Sequence, residues 1–174
     1  MLLSADASLL FPRPVVFAAY RDHLADLVEF LPNIRRIDVQ RREDRGATTQ
    51  LLNEWHGGGE IPAAARAFLS ESMLSWSDHA SWNQDEWTCD WRIETHAFTE
   101  AVHCAGKNRF VEIDGGTRLE IRGELTIDGA KLKGVPKLLS KKVASTVEDL
   151  LVKKITPNLL SVSDGLQKYL EQKR

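Results

Sequence analysis

One carboxylate and one amide occupy positions where a side chain can do chemistry inside a protein. Asp78 sits between Trp76 and Trp82 in a segment, residues 75–83, whose side chains alternate in character. Period-two strand geometry sends Trp76, Asp78, Ala80 and Trp82 to one side, and Ser77, His79 and Ser81 to the other. Asn53 shares its parity with Leu51 and Trp55 in the preceding alternating segment. Trp87, Cys89, Trp91 and Ile93 share theirs in the following one. All five tryptophans thus fall within residues 55–91, on the same sides as Asn53 and Asp78. Indoles give large rigid apolar walls, each with one N–H donor. Ligand pockets are mostly apolar with a few placed polar groups. Burial raises a carboxyl pKa toward neutrality, the range a general base needs. Asp78 and Asn53 are therefore either satisfied polar groups of a filled core or the polar contacts of a ligand cavity. The other side, Ser77, His79, Ser81, Thr88, Asp90, Arg92, Glu94 and His96, is expected to face solvent.

Other combinations of reactive residues lack a complete set. His56-Gly57-Gly58-Gly59 matches the oxyanion-hole string of some esterases, but no Gly-x-Ser-x-Gly elbow accompanies it, so it reads as a loop after a strand. His79, His96, His103, Cys89 and Cys104 lie in neighbouring strands. Cys89 and His96 have opposite parity, as do His103 and Cys104, and no H-x-x-x-H or C-x-x-C spacing is present. The expectation is no metal and no cofactor. Two cysteines cannot supply a disulfide framework.

The elements that must position these residues follow from the periodicity. Residues 2–11 fit a first strand. Pro12 and Pro14 open a helix, where the missing N–H has no partner to lose, with Val15, Phe17, Ala18, Ala19 and Tyr20 on its apolar side. A second short helical piece runs from Leu24 to Leu31. Strands are expected at residues 34–44, 47–56, 75–83, 86–96, 101–113 and 117–128, with turns at Gly46, Asn83-Gln84-Asp85 and Gly115-Gly116. Between two of them, residues 57–74 form an insertion with a helix from Pro62 to Leu74. It reads as a surface excursion or as a lid hinged on Gly57–Gly59.

From Pro136 the apolar period changes to three or four residues: Leu139, Val143, Val147, Leu150, Leu151 and Ile155, then Leu159, Val162, Leu166, Tyr169 and Leu170. This predicts a long C-terminal helix over 136–172, kinked near Ile155 by Pro157. An antiparallel sheet with one apolar face needs that face covered, and only the last helix is long enough. The fold class is α+β: a curved antiparallel sheet wrapped around a long C-terminal helix, with two short helices after the first strand. It forms a single domain over 1–174. Val143, Val147, Leu151 and Ile155 would face the tryptophan-rich side and line the interior with it.

Three stretches carry a family likeness: Val16-Phe17 to Asp22 followed by Phe30-Leu31-Pro32; Gly106-Lys-Asn-Arg-Phe110 with Gly115-Gly-Thr117-Arg118-Leu119-Glu-Ile121; and the terminal amphipathic helix. In this order the chain resembles the START/Bet v 1-like (SRPBCC) superfamily, which includes polyketide cyclase-like and lipid-transfer proteins. The resemblance implies a helix-grip fold with a cavity between sheet and helix, commonly holding lipids, sterols or polyketides. A minority of such proteins are enzymes. The expected function is binding or transport of a hydrophobic small molecule. The alternatives are a cyclase- or dehydratase-type enzyme in the same cavity, with Asp78 as base, and a partner-binding module with a filled core.

Composition bounds these readings. Of 174 residues, 43% are apolar and 28% charged, which supports one core without staples and excludes a disordered chain. A net charge of -2 and a pI of about 6.2 argue against nucleic acid as a partner. With no basic region ahead of the first apolar residues and no apolar run near the roughly 20 residues of a membrane span, a cytoplasmic location is expected. The total conceals an asymmetry. Residues 1–128 hold 13 basic and 21 acidic side chains, and residues 129–174 hold 10 and 4. Lys133, Lys137, Lys141 and Lys142 crowd the start of the last helix, where the dipole disfavours cations. They form either a solvated rim or a contact for an anionic membrane surface.

Overall fold

The structure, a computed structural model, describes residues 1–58, 74–96, 99–132, 136–138 and 140–173; within the last helix it describes the side chains at 140–142, 144, 145, 148 and 159–173. Seven strands form one antiparallel sheet: β1 (Leu2–Leu9), β2 (Ile34–Arg45), β3 (Thr48–Gly57), β4 (Ser75–Asn83), β5 (Thr88–Thr95), β6 (Val102–Ile113) and β7 (Gly116–Ile127). Their spatial order is β1-β7-β6-β5-β4-β3-β2. From β2 to β7 each strand pairs with its sequence neighbour, as the turn signals require. Gly46 and Gly115 take φ of 61° and 77°, a region that glycine enters without a Cβ penalty.

Between β1 and β2 the chain must cross from one sheet edge to the other. Helix α1 (Arg13–Asp22) and a 3₁₀ helix (Leu24–Phe30) carry it. Proline at the start of α1 fixes its entry, and the backbone N–H groups of Val15 and Val16 both donate to the Pro12 carbonyl. Val16, Phe17 and Ala19 form the buried face of α1. Helix α2 (Ser140–Gln172) packs on the 3₁₀ helix, β1, β7 and α1. Val162, Leu166, Tyr169 and Leu170 are its buried apolar residues in the described C-terminal half. The element runs unbroken through Pro157. It begins at Ser140, not at 136, because Lys137 and Leu138 form a turn whose Lys137 carbonyl accepts from the Ser140 N–H and hydroxyl. The helix expected from Pro62 lies outside the described residues up to Leu74.

Thr88 and Val39 depart from simple alternation. Thr88, expected on the solvent side, is 7% exposed. It starts β5 between Asn83 and Arg109 in the ladder, directly after Trp87, whose φ is 56°. Val39 pairs with Asn53 and so lies on the concave side, yet it is 52% exposed. A register shift follows it, between Val39 and Arg41, and bends this edge strand. The concave side therefore reaches solvent at Val39, while Ile34 and Ile37 of the same strand are buried.

Candidate functional site

Strand register aligns the inward-facing residues in rows across the sheet. One row runs Val39, Asn53, Asp78, Ile93, Cys104 and Leu125 through β2 to β7. The next row toward one end holds Trp55 directly opposite Trp76. Their indoles stack with centroids 5.6 Å apart at 16°. Asn53 and Asp78 are thus cross-strand neighbours, and Asn53 Nδ2 donates to Asp78 Oδ2 at 3.3 Å.

Burial pushes the Asp78 carboxyl up to about 6, while the Asn53 hydrogen bond and the nearby Trp55 indole pull the other way. The Trp55 N–H is near enough to favour the charged form, but it makes no hydrogen bond of ordinary geometry. Asn53 is 1% exposed, and its Oδ1 also lacks a partner. Trp76, Asp78 and Ile93 keep partial solvent access, whereas Ala80 and Trp82 on the same side of the sheet are buried.

The middle row is Leu51, Ala80, Trp91, Gly106, Gly123 and Leu3. Trp91 lies across the two glycines: a Cβ added at Gly106 would stand 2.4 Å from Trp91 Cζ2, and one at Gly123 2.6 Å from Cη2. Its Nε1 donates to Asn108 Oδ1 at 2.8 Å. Asn108 also lies near enough to the Tyr20 hydroxyl to favour its charged form, while burial raises the Tyr20 pKa above the ordinary phenol value. The negative charge of Asp78 adds to that rise, so Tyr20 of α1 lies within electrostatic reach of the carboxylate.

At the α1 end the site closes. Phe17 meets Trp82, Trp87 and Phe110 edge to face, with centroids at 5.2, 5.3 and 5.1 Å. The Arg13 guanidinium lies 4.5 Å over the Trp87 ring. On the convex side, histidines pair with carboxylates: His56 with Asp38 at 3.1 Å, His79 with Glu94 at 3.5 Å and His96 with Glu54 at 3.4 Å. Among the described residues, no three His, Cys, Asp or Glu side chains converge as a metal site.

No protein-family model matches the chain, and neither does any curated relative. Solved structures do. TTHA0849 from Thermus thermophilus is 16% identical, with a TM-score of 0.67 over 97% of this chain and 95% of that one. The Zhui aromatase/cyclase from Streptomyces sp. R1128 is 11% identical, with a TM-score of 0.67 over 99% of this chain and 94% of that one. Norcoclaurine synthase from Thalictrum flavum is 13% identical, with a TM-score of 0.60 over 98% of this chain and 86% of that one. The aromatase/cyclase and the synthase are both SRPBCC/Bet v 1-like proteins. The chain has the Bet v 1-like helix-grip fold.

In helix-grip terms, the sequence-predicted residues divide into two groups. Asn53, Trp55, Trp76, Asp78 and Ile93 come together on one half of the concave face, where Trp76, Asp78 and Ile93 keep partial solvent access and Asn53 and Trp55 are buried. Trp91 lies between the halves, and Trp82 and Trp87 belong to the packed aromatic cluster under α1. The side chains of Val143, Val147, Leu151 and Ile155 lie outside the described residues, as does Lys133. Of the insertion at 57–74, only Gly57, Gly58 and Leu74 are described. A Cβ on Gly57 would stand 2.6 Å from the Leu74 carbonyl oxygen, so the two ends of the insertion sit side by side.

Sequence reasoning did not single out Tyr20 or Asn108. Asn108 carried a signal, since it shares the inward parity of Gly106 and Phe110. Tyr20 carried only its place on the apolar side of α1.

Proposed function

We propose that this helix-grip protein binds an apolar small molecule between the concave sheet face and α2, with Asp78 and Asn53 as the polar contacts that orient it. One observation carries this reading. Inward-facing Trp76, Asp78 and Ile93 keep accessible surface, while beside them Asn53 Oδ1 and Trp55 Nε1 are buried without partners. A buried polar atom without a partner costs about 1–3 kcal/mol, which a ligand with matching polar groups would recover. The exposed concave side at Val39 gives a route from solvent to the same row. The fold shared with an aromatase/cyclase and a synthase supports a small molecule as the partner. The test is 1-anilinonaphthalene-8-sulfonate, an apolar dye that fluoresces when desolvated, with native mass spectrometry of the purified protein. Saturable dye binding with a shift in tryptophan emission is expected, together with a co-purifying small-molecule mass. A protein that shows none of these has a filled core.

A second contact accompanies this reading. Leu138 is 99% exposed, between exposed Lys137 and the exposed pair Lys141 and Lys142. An apolar side chain set among lysines matches an anionic lipid surface, and such a surface is a source of apolar ligands.

A further inference from the structure

The charge on the Asp78 side chain has no described counter-charge. No described arginine, lysine or histidine contributes to its electrostatics, which burial, Asn53 and Trp55 account for. Among the described residues, the titratable groups that feel its charge are the Tyr20 hydroxyl of α1 and the Cys89 thiol of β5, both neutral at pH 7, their pKa values pushed further up by burial. On β2, past the register shift, Arg42 and Asp44 share the concave side but are engaged with each other, and Arg42 also with Asp22. An ionised carboxylate left unpaired inside a protein is costly, and a bound cation can remove that cost.

The neighbouring polar atoms define the cation. The Asp78 carboxylate and Asn53 Oδ1 are acceptors in one row of the sheet, and Asn53 Oδ1 has no donor. An ammonium group brings several N–H donors and a positive charge in one small head. The stacked Trp55 and Trp76 rings stand in the adjacent row, and indole faces attract cations as well as apolar surface.

We propose that Asp78 and Asn53 anchor the ammonium head of an amine-bearing apolar ligand, whose body lies against Trp55 and Trp76. This rests on the cavity reading above and names its ligand class. The test compares 2-(2-naphthyl)ethylamine with its neutral isostere 2-(2-naphthyl)ethanol by calorimetry at pH 7.5, on the wild-type protein and on Asp78→Asn, with the sulfonate dye as a separate probe of the cavity. The amine should bind the wild type at least about tenfold more tightly than the alcohol, the scale of one charge-assisted hydrogen bond. Asp78→Asn should abolish that preference, while the wild type binds the dye. Equal binding of amine and alcohol by the wild type, or an undiminished preference in Asp78→Asn, overturns the amine assignment while dye binding upholds the cavity. Failure of the wild type to bind any of the three probes overturns both. The wild-type comparison decides the matter even where the variant does not fold.

Discussion

Asp78 makes the folded protein hold a proton more tightly than the unfolded chain does. Its carboxyl rises from the ordinary 3.8 to about 6 on burial. Between these values this group binds more protons in the folded state, so its contribution to stability falls as pH rises from about 4 to about 6 and is level above. The full loss is on the order of 2–3 kcal/mol. Asparagine has the shape of the neutral acid and no charge to desolvate. Asp78→Asn should therefore be more stable than the wild type at pH 7.5 by about 1–3 kcal/mol, and should lose the downward slope between pH 4 and 6. Urea denaturation across pH 4–8 reads both, and a less stable variant with the slope intact would contradict the assignment. The inward direction of Asp78 and Asn53 was legible in the sequence because strand side chains alternate strictly. That they face each other was not, because register depends on how two strands slide past one another. Tyr20 illustrates the harder case: a helix residue carries a face in its periodicity but no address on the sheet it meets.

At the scale of elements, the sheet is shaped by what its strands omit. Gly106 and Gly123 are directly opposite in β6 and β7, and the Trp91 indole of β5 lies across both. At Gly123 an added Cβ would also stand 2.9 Å from the Ala105 backbone carbonyl oxygen, so a rotamer change of Trp91 alone cannot absorb it. Gly123→Ala should cost about 1–3 kcal/mol through overpacking. It should also displace Trp91 from Asn108 and alter tryptophan emission. Denaturation melts and emission spectra of the variant check both, and an unperturbed protein would show that Trp91 has room the geometry denies. The strands themselves were legible from alternation and turn residues, and the long helix from its changed period. The seat under Trp91 was not, because a glycine inside a strand does not announce which ring will cross it. Val39 shows the same limit: its parity is inward, and only the register shift after it explains why it meets solvent.

For the molecule as a whole, the charge is divided as the fold is. The acidic portion, residues 1–128, builds the sheet and its short helices, while the basic remainder begins beside the turn into α2. Among the described residues, no helix is long and apolar enough to cross a membrane. The proposed lipid contact lies at the start of α2. Lys137, Leu138, Lys141 and Lys142 would form it, each lysine contributing on the order of 1 kcal/mol near an anionic surface. Replacing Lys137, Lys141 and Lys142 together by glutamate should lower partition onto phosphatidylcholine–phosphatidylserine vesicles by at least about tenfold at low salt, with no change on phosphatidylcholine alone. Sedimentation of the vesicles measures it. The helix dipole separates this effect from misfolding. Acidic residues in the first turn of a helix are favoured where lysines are not, so the triple variant should melt no lower than the wild type. A variant that folds and still binds the anionic vesicles as before would leave the lysines as a solvated rim, paired with the acidic body of the same chain.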